Sequence, residues 1–181
     1  MELEVFGPLD YLPFKKEGAC LYNHKLTWEP GIYFWAFQIE SSYYVNYIGI
    51  SSHSIAYRQS EHLSKFLSGG YDIYNINALL NGKIERAYSP GAGNEEFNKN
   101  YKQLEEQLDK LCFFFIPIDT DLSILKRIET AFITHIRSSE DNSKILDNGS
   151  VSRYKRDDEE AIVLAINSPM RIKGLPDSLL A

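Results

Sequence analysis

Two phenols, a guanidinium and an imidazole lie close together in the chain, within residues 31–62: Tyr33, Tyr47, Arg58 and His62. Tyr33 ends a Gly-Ile-Tyr triplet, and Tyr47 begins a Tyr-Ile-Gly triplet. An arginine binds phosphate oxygens through two parallel N–H donors, and histidine is the side chain whose ordinary pKa lies nearest to neutral pH. These residue types suit an anionic substrate whose reaction moves a proton.

A fifth candidate is a carboxylate among apolar residues. The apolar positions of residues 122–136 trace one face of a predicted helix: Leu122, Leu125, Ile128, Phe132, Ile133 and Ile136. Glu129 lies within that stripe, and a buried carboxylate is costly unless it is paired or bound to a metal. Arg58 or a divalent cation would serve as its partner. An ordinary ion pair with Arg58 or Arg127 at the margin of the core is the structural alternative.

Two segments rich in aromatic and β-branched residues, 31–39 and 43–50, are predicted to form a β-hairpin, because only a short polar stretch separates them. Side chains alternate between the faces of a strand, and opposite residues of an antiparallel pair lie close together. Tyr33 and Tyr47 are therefore predicted neighbours, with Gly49 leaving space beside them.

A helix is predicted over residues 54–67, with Ser54 as its N-cap. Arg58 and His62 are four residues apart and therefore project from one side of this helix, at the margin of its apolar stripe. We expect both at the rim of the core. The alternative is a common helix-surface cluster, in which Arg58 interacts with Glu61 or His62.

The remaining segments are predicted in this order: irregular chain over 71–93, a charged helix over 95–110, a buried strand over 111–118, a helix over 122–136, polar turns over 141–152 and a short helix within 159–166. The order strand, strand, helix, strand, helix predicts an α/β protein of the α+β type. Its small, mixed or antiparallel central sheet would be flanked by helices. With 181 residues and 44% hydrophobic content, the chain is predicted to form a single domain over 1–181.

Composition also excludes some classes of protein. No run of about 20 uncharged apolar residues occurs, and the N-terminus is not of the secretory type. We therefore expect a soluble, intracellular, cytoplasmic protein with no membrane partner. Cys20 and Cys112 are expected to be reduced thiols, at least one of them in the core.

The formal net charge of −6 argues against a broad positive surface, which proteins that bind polyanions usually carry. A positive patch must therefore be local. The residues that could form it are Lys15, Lys16, Lys65, Lys83, Arg86, Arg153, Lys155 and Arg156.

The two triplets, the Arg-x-x-x-His spacing, the helix-borne Glu129 and a downstream asparagine together resemble the GIY-YIG nuclease superfamily. The similarity covers roughly residues 29–150, with an insert at about 68–110. This resemblance implies a small mixed sheet flanked by helices. It also implies metal-dependent endonuclease activity that hydrolyses phosphodiester bonds in DNA, the expected partner.

The resemblance further implies a role for each tyrosine and each cationic candidate. Tyr33 would be the general base, or a relay to it, that takes a proton from the attacking water. Tyr47 would orient that water or contact the scissile phosphate. Arg58 would bind the non-bridging oxygens, and His62 would position or deprotonate the nucleophile beside Tyr33.

For the metal, the resemblance implies that Glu129 holds one divalent ion, Mg²⁺ or alternatively Mn²⁺. A later asparagine would brace the site, and Asn148 is the best match, with Asn142 as a competitor. Gly31 and Gly49 would lie with Arg58 on the substrate-binding side.

Simple chemistry explains why such groups would cluster. A phenol with an ordinary pKa of about 10 is a poor base at neutral pH, so Tyr33 would need positive charge from Arg58 or a metal to lower its pKa. A hard cation with one carboxylate and several waters is the usual Mg²⁺ arrangement.

Two alternatives remain open from the sequence. One is a catalytically inactive nucleic-acid- or protein-binding module on the same scaffold. The other concerns residues 68–110, whose aromatic and basic side chains could contact DNA or could belong to a surface lobe or a homodimer contact: Tyr71, Tyr74, Tyr88, Lys83 and Arg86.

Overall fold

The computed structural model of the protein describes residues 1–12, 19–140, 144–149 and 159–181. Its strands are, in chain order, β1 (Glu2–Glu4), β2 (Phe6–Asp10), β3 (Gly31–Ile39), β4 (Ser42–Ser51), β5 (Ile73–Tyr74), β6 (Arg86–Tyr88), β7 (Leu111–Pro117), β8 (Val163–Asn167), β9 (Ile172–Lys173) and β10 (Ser178–Leu180). Its α-helices are α1 (Ile55–Leu67), α2 (Ile76–Leu80), α3 (Asn94–Lys110) and α4 (Leu122–Ser138). The predicted α+β class is confirmed.

A five-stranded mixed sheet forms the centre of the molecule, in the order β2-β7-β3-β4-β9. Its pairs are antiparallel except for β4 with β9, which is parallel. A three-stranded sheet of β1, β8 and β10 and a two-stranded sheet of β5 and β6 complete the strand pairing of the described residues.

The hairpin of β3 and β4 forms as predicted. Tyr33 pairs with Gly49 and Trp35 pairs with Tyr47, with a register shift immediately after Trp35. A positive φ of 54° at Glu40 closes the turn between the strands. The pairing puts Tyr33 and Tyr47 on one face, with ring centroids 6.3 Å apart.

Each face of the central sheet is covered by helices. On one face α4 buries Phe132 against Phe34 and Ile48. On the other face α1 and α3 contribute to the cluster that contains Tyr33 and Phe113. Because the two faces carry separate apolar clusters, β3 is buried over most of its length.

The predicted insert, residues 68–110, holds β5, α2, β6 and α3. Leu104 and Leu108 of α3 are buried in the same cluster as Tyr33. The segment therefore fills one face of the sheet rather than forming a separate surface lobe. Its long helix also brings polar side chains to the sheet, as described below.

The prediction of a short helix within residues 159–166 is wrong. Residues 163–167 form strand β8, with Leu164 and Ile166 buried and the other three residues exposed. This strand pairs in parallel with β1 and antiparallel with β10. Leu122, expected in the apolar stripe of α4, is 46% exposed, because it lies at the first position of the helix.

Neither Cys20 nor Cys112 is in a disulfide bond, and Cys20 is buried whereas Cys112 is partly exposed. Among the helices of the described ranges, none has the length and apolar character needed to cross a bilayer.

Candidate active site

A chain of three side chains links the sheet to helix α1 and to the segment after it. The Tyr33 hydroxyl lies 2.7 Å from Nε2 of His62, and the Tyr71 hydroxyl lies 2.6 Å from Nδ1. Tyr33 and His62 are almost completely buried, whereas Tyr71 is partly exposed. The chain therefore connects a buried phenol to the protein surface through one imidazole.

The imidazole of His62 is neutral. Burial, which is the largest cause, and the positive charges of Arg58 and Lys65 together lower its pKa to about 3. A neutral imidazole donates from one ring nitrogen and accepts at the other. His62 therefore accepts from one tyrosine hydroxyl and donates to the other, and it adds no positive charge to the site.

Tyr33 is expected to stay protonated at neutral pH. Burial raises its pKa well above the ordinary value, and Tyr47 adds to that rise. Arg58 and Gln59 lower the pKa of Tyr33, as positive charge and hydrogen-bond donors do, but their effect is smaller. The expected lowering of the Tyr33 pKa by Arg58 is thus present and is outweighed by desolvation.

Gln59 was not predicted as a site residue. Its Oε1 accepts a 2.9 Å hydrogen bond from Nε1 of Trp35. Its Nε2 is buried and makes no hydrogen bond of good geometry within the described part of the chain. Since Gln59 affects the pKa of Tyr33, this amide lies beside the phenol. No periodicity in the sequence indicates it, because glutamine is common on helix surfaces.

Tyr47 interacts both with Tyr33 and with Glu129. Its ring is 4.7 Å from that of Trp35 and 6.3 Å from that of Tyr33, measured between centroids. Burial raises the pKa of Tyr47, and the next largest cause is the negative charge of Glu129. The carboxylate on α4 is therefore close enough to act on a phenol of β4.

Glu129 is partly buried, and burial raises its pKa from 4.5 to about 7. The nearby charge of Lys126 opposes part of this rise. Neither arginine considered from the sequence neutralises it, because Arg127 lies 3.5 Å from Glu159 and Arg58 pairs elsewhere. Among the described residues, Glu129 has no hydrogen-bond or ion-pair partner.

A metal would have few protein ligands here. The described residues contain no group of three or more His, Cys, Asp and Glu side chains able to hold a metal ion. Mg²⁺ keeps several waters and is commonly held by one or two carboxylates. A single desolvated carboxylate at Glu129 fits that pattern, and it does not fit a site of several protein ligands.

Arg58 lies at the rim of the site, as predicted. Its Nη1 is 2.7 Å from Oε2 of Glu61, with the two side chains 38% and 42% exposed. The helix-surface alternative is thus present, although the guanidinium also lies close enough to Tyr33 to lower its pKa. Arg58 occupies the rim, whereas His62, expected there as well, is 2% exposed.

Asn148 forms hydrogen bonds to strand β4 at Ile48, between Tyr47 and Gly49. Its Oδ1 accepts from the backbone N–H of Ile48 at 2.9 Å, and its Nδ2 donates to the Ile48 carbonyl at 2.7 Å. Ile48 separates Tyr47 from Gly49. Asn142, the competing asparagine, lies outside the described residues.

Both glycines of the triplets are required by packing. At Gly31, with φ 155°, a Cβ would collide with the carbonyl oxygen of Ile116. At Gly49 a Cβ would collide with the Tyr33 hydroxyl. The prediction that Gly49 leaves space for the tyrosine is confirmed.

The expected positive patch is only partly visible. Lys65 lies over the Tyr71 ring, 5.7 Å from its centroid, whereas Arg86 is paired with Asp72 and Asp147. Several members of the patch lie outside the described residues: Lys15, Lys16, Arg153, Lys155 and Arg156.

The chain matches no protein-family model, no curated protein and no solved structure. Its similarity to the GIY-YIG superfamily therefore stays a prediction from the residues. Any function assigned to the site depends on the geometry of those residues alone.

Proposed function

We propose that the protein is a metal-dependent endonuclease that hydrolyses phosphodiester bonds in DNA through a GIY-YIG type site. The observation that carries the proposal is the hydrogen bond between Tyr33 and His62, in a site bordered by Tyr47 and Arg58. Aromatic packing alone would not require a hydroxyl and an imidazole to be buried together.

The three-residue chain suits proton removal from water. As the water oxygen attacks phosphorus, its proton passes to the Tyr33 oxygen while the Tyr33 proton passes to Nε2 of His62. Nδ1 of His62 gives its proton to the Tyr71 oxygen, and the Tyr71 proton leaves to solvent. The imidazole stays neutral throughout, in agreement with its pKa of about 3.

Arg58 and Glu129 act on the phosphate. The guanidinium binds non-bridging oxygens and offsets their charge in the transition state. Glu129 would hold Mg²⁺, or Mn²⁺ in its place, and such an ion supplies a Lewis acid at the phosphate and leaving oxygens. A bound cation would favour the ionised carboxylate and would so offset the desolvation that raises the pKa of Glu129.

The negative net charge of the chain limits how DNA can bind. Affinity gained by counterion release scales with the number of phosphates contacted. With a net charge of −6, the protein must rely on a few local contacts, and we expect weak salt dependence of binding.

One observation favours the second candidate, a non-catalytic binding module. Tyr33 is 1% exposed, and burial raises its pKa, so the phenol resists ionisation. On this alternative the tyrosine and histidine hold the scaffold, and DNA or a protein binds without being cut.

Incubation of purified protein with supercoiled plasmid and Mg²⁺ separates the two candidates. The nuclease is expected to nick or linearise the plasmid, and to stop doing so in EDTA. Binding without cleavage across Mg²⁺, Mn²⁺ and several DNA structures selects the module. Cleavage that persists unchanged in both Tyr33→Phe and Glu129→Gln would assign the activity to another site or to a contaminant.

A further inference from the structure

A pocket of about 180 Å³ opens beside the candidate active site and shares Tyr47 and Tyr71 with it. Its apolar walls are aromatic, with Trp35 and Phe66 among them. The volume is below the roughly 300–1,000 Å³ of sites for drug-sized ligands. It therefore suits one small planar ring system.

Two buried amides line this pocket with unused hydrogen-bonding atoms. Asn46 and Gln107 are 3% and 2% exposed. Nδ2 of Asn46 donates to the Ile145 carbonyl at 2.7 Å, and Oε1 of Gln107 accepts from the Tyr74 N–H at 2.8 Å. None of the described residues bonds to Oδ1 of Asn46 or to Nε2 of Gln107.

Neither atom is among the completely buried atoms that lack a partner, so both are reached from the pocket, and a ligand that displaces water from them must bond to them in its place. The Tyr74 bond fixes the Gln107 amide so that its N–H₂ group remains a donor, and the Ile145 bond leaves the Asn46 oxygen as an acceptor. The pocket thus offers one donor and one acceptor between aromatic walls.

The charge at the pocket excludes a phosphate. Asp72 and Asp147 both line it, and they share a single cation, Arg86, at 2.8 Å and 2.6 Å. Among the described residues one negative charge is therefore left over at the pocket, and it repels anions. A ligand that stacks on aromatic rings, bonds to two amides and carries no negative charge on its ring has the chemistry of a nucleobase.

We propose that this pocket receives one nucleobase turned out of the DNA helix, beside the phosphate that is cut. The inference rests on the proposed nuclease function, because it takes the phosphate to lie near Tyr47 and Arg58. Turning out a base costs least where the base is unpaired. The protein should therefore prefer DNA with an unpaired base next to the cleaved bond.

Binding in EDTA tests the pocket without any cleavage. The probes are three fluorescein-labelled duplexes of one sequence, namely fully paired, with a single unpaired adenine, and with an abasic residue in place of that adenine. Base stacking on aromatic side chains predicts about 10-fold tighter binding of the unpaired adenine than of the abasic duplex. The abasic duplex controls for bending of the DNA.

Tryptophan fluorescence reports the same event. The chain has two tryptophans, and Trp28 is 54% exposed, so Trp28→Phe leaves Trp35 of the pocket as the reporter. We expect quenching with the unpaired adenine and little with the abasic duplex. Equal affinity and equal quenching for these two DNAs, or no binding to either, would contradict the proposal that the pocket receives a base.

Gln107→Glu keeps an oxygen for the Tyr74 N–H and replaces the donor with a carboxylate. It should abolish the preference for the unpaired adenine, which then binds about as weakly as the abasic duplex. Gln103→Glu makes the same change one turn away on α3, outside the lining of the pocket, and should keep the preference. A preference that survives in Gln107→Glu contradicts the assignment of the donor.

Leu111→Phe provides a second test, because it adds bulk to the pocket wall and leaves Asn46 and Gln107 themselves unchanged. We expect the same loss of preference, and an unchanged preference counts against the pocket. Plasmid cleavage with no preference for the base would refute the pocket alone. Preference without plasmid cleavage would refute the proposed nuclease and leave the pocket standing.

Discussion

The Tyr33 hydroxyl and Nε2 of His62 are 2.7 Å apart in the interior of the protein, although the residues are 29 positions apart in the chain. Burial raises the pKa of Tyr33 and lowers that of His62, so both groups are held in their neutral forms. A proton can pass along such a pair without either residue becoming charged. This favours a relay over a permanently ionised base.

Tyr33→Phe should reduce plasmid cleavage about 100-fold or more, the range expected when a positioned proton-transfer group is removed. The ring remains, so the core packing is kept, and the circular dichroism spectrum should be unchanged. Initial rates of supercoiled plasmid loss under Mg²⁺ measure the effect.

Tyr43→Phe is the matched control, because it removes a hydroxyl from the other apolar cluster of the same sheet. Its cleavage rate should stay within about two-fold of the wild type. Equal loss of activity in both variants would show that any missing hydroxyl impairs the protein, and would remove Tyr33 from the mechanism.

The pKa of His62 predicts how stability depends on pH. The folded pKa of about 3 lies below the ordinary 6.5, so the unfolded chain takes up a proton that the folded protein refuses. Stability from this group is complete above pH 6.5 and is lost as the pH falls towards 3. Between pH 7 and pH 5 the loss should be about 1–2 kcal/mol.

Urea unfolding at the two pH values measures this loss, and His62→Gln isolates it. The variant should lose less stability than the wild type on going from pH 7 to pH 5. An imidazole NMR signal of His62 that titrates near 6.5 would contradict the neutral relay.

Glu129 predicts the opposite pH dependence. Its folded pKa of about 7 lies above the usual 4.5, so the folded protein keeps a proton that the unfolded chain has lost. Stability from this group is present below pH 4.5 and is lost as the pH rises through 7. Glu129→Gln should therefore stabilise the protein by about 1 kcal/mol more at pH 8 than at pH 5, a figure reduced for partial exposure.

A cation bound at Glu129 would remove that cost. Mg²⁺ at millimolar concentration should raise the Tm of the wild type at pH 8, and should leave the Tm of Glu129→Gln unchanged. Glu105→Gln, at an exposed position of α3, should respond to Mg²⁺ as the wild type does. The same Tm rise in all three proteins would place the ion elsewhere.

Local sequence patterns are sufficient to predict the strands and the helix that carry the candidate site. The aromatic and β-branched residues correctly predict the hairpin that carries Tyr33 and Tyr47. The prediction of Ser54 as an N-cap is also confirmed, since its side chain accepts a hydrogen bond from the Tyr57 N–H. Strand β8 was missed because its stability comes from pairing with β1, at the far end of the chain. A short apolar run next to acidic residues gives no sign of such a distant partner.

The same limit applies to the site. The spacing of Arg58 and His62 correctly predicts that they share one side of helix α1. It does not predict that His62 is buried and Arg58 partly exposed, because this depends on what packs over the helix. Tyr71 was considered only as a residue that could contact DNA. Its bond to His62 depends on the path of the chain after the helix, which no periodicity encodes.

Asn148 should matter for stability as well as for activity. Asn148→Ala removes both hydrogen bonds to Ile48, at 2.9 Å and 2.7 Å, and leaves partly buried backbone groups unpaired. We expect a loss of about 1–3 kcal/mol in urea unfolding. Asn148→Asp keeps the acceptor for the Ile48 N–H but places a carboxylate oxygen against the Ile48 carbonyl, so it should not restore the lost stability. A change below about 0.5 kcal/mol in Asn148→Ala would show that water replaces the side chain at little cost.

Substitution of Arg58 should lower activity without lowering stability. Its ion pair with Glu61 is partly exposed, and such pairs contribute about 0–1 kcal/mol, so Arg58→Ala should leave the Tm nearly unchanged. Loss of a group that stabilises transition-state charge should lower kcat/KM by about 100- to 1,000-fold. Arg171→Ala, a change at an exposed arginine, should leave both quantities unchanged.

Glu61→Gln tests the same arginine from the other side. On the proposed function Glu61 would compete with phosphate for the guanidinium, so its neutralisation should tighten DNA binding in EDTA a few-fold and preserve cleavage with Mg²⁺. Fluorescence anisotropy of a labelled duplex at two salt concentrations measures the gain, which should shrink as salt rises. Weaker binding in Glu61→Gln would mean that the ion pair positions Arg58 for the phosphate rather than occupying it.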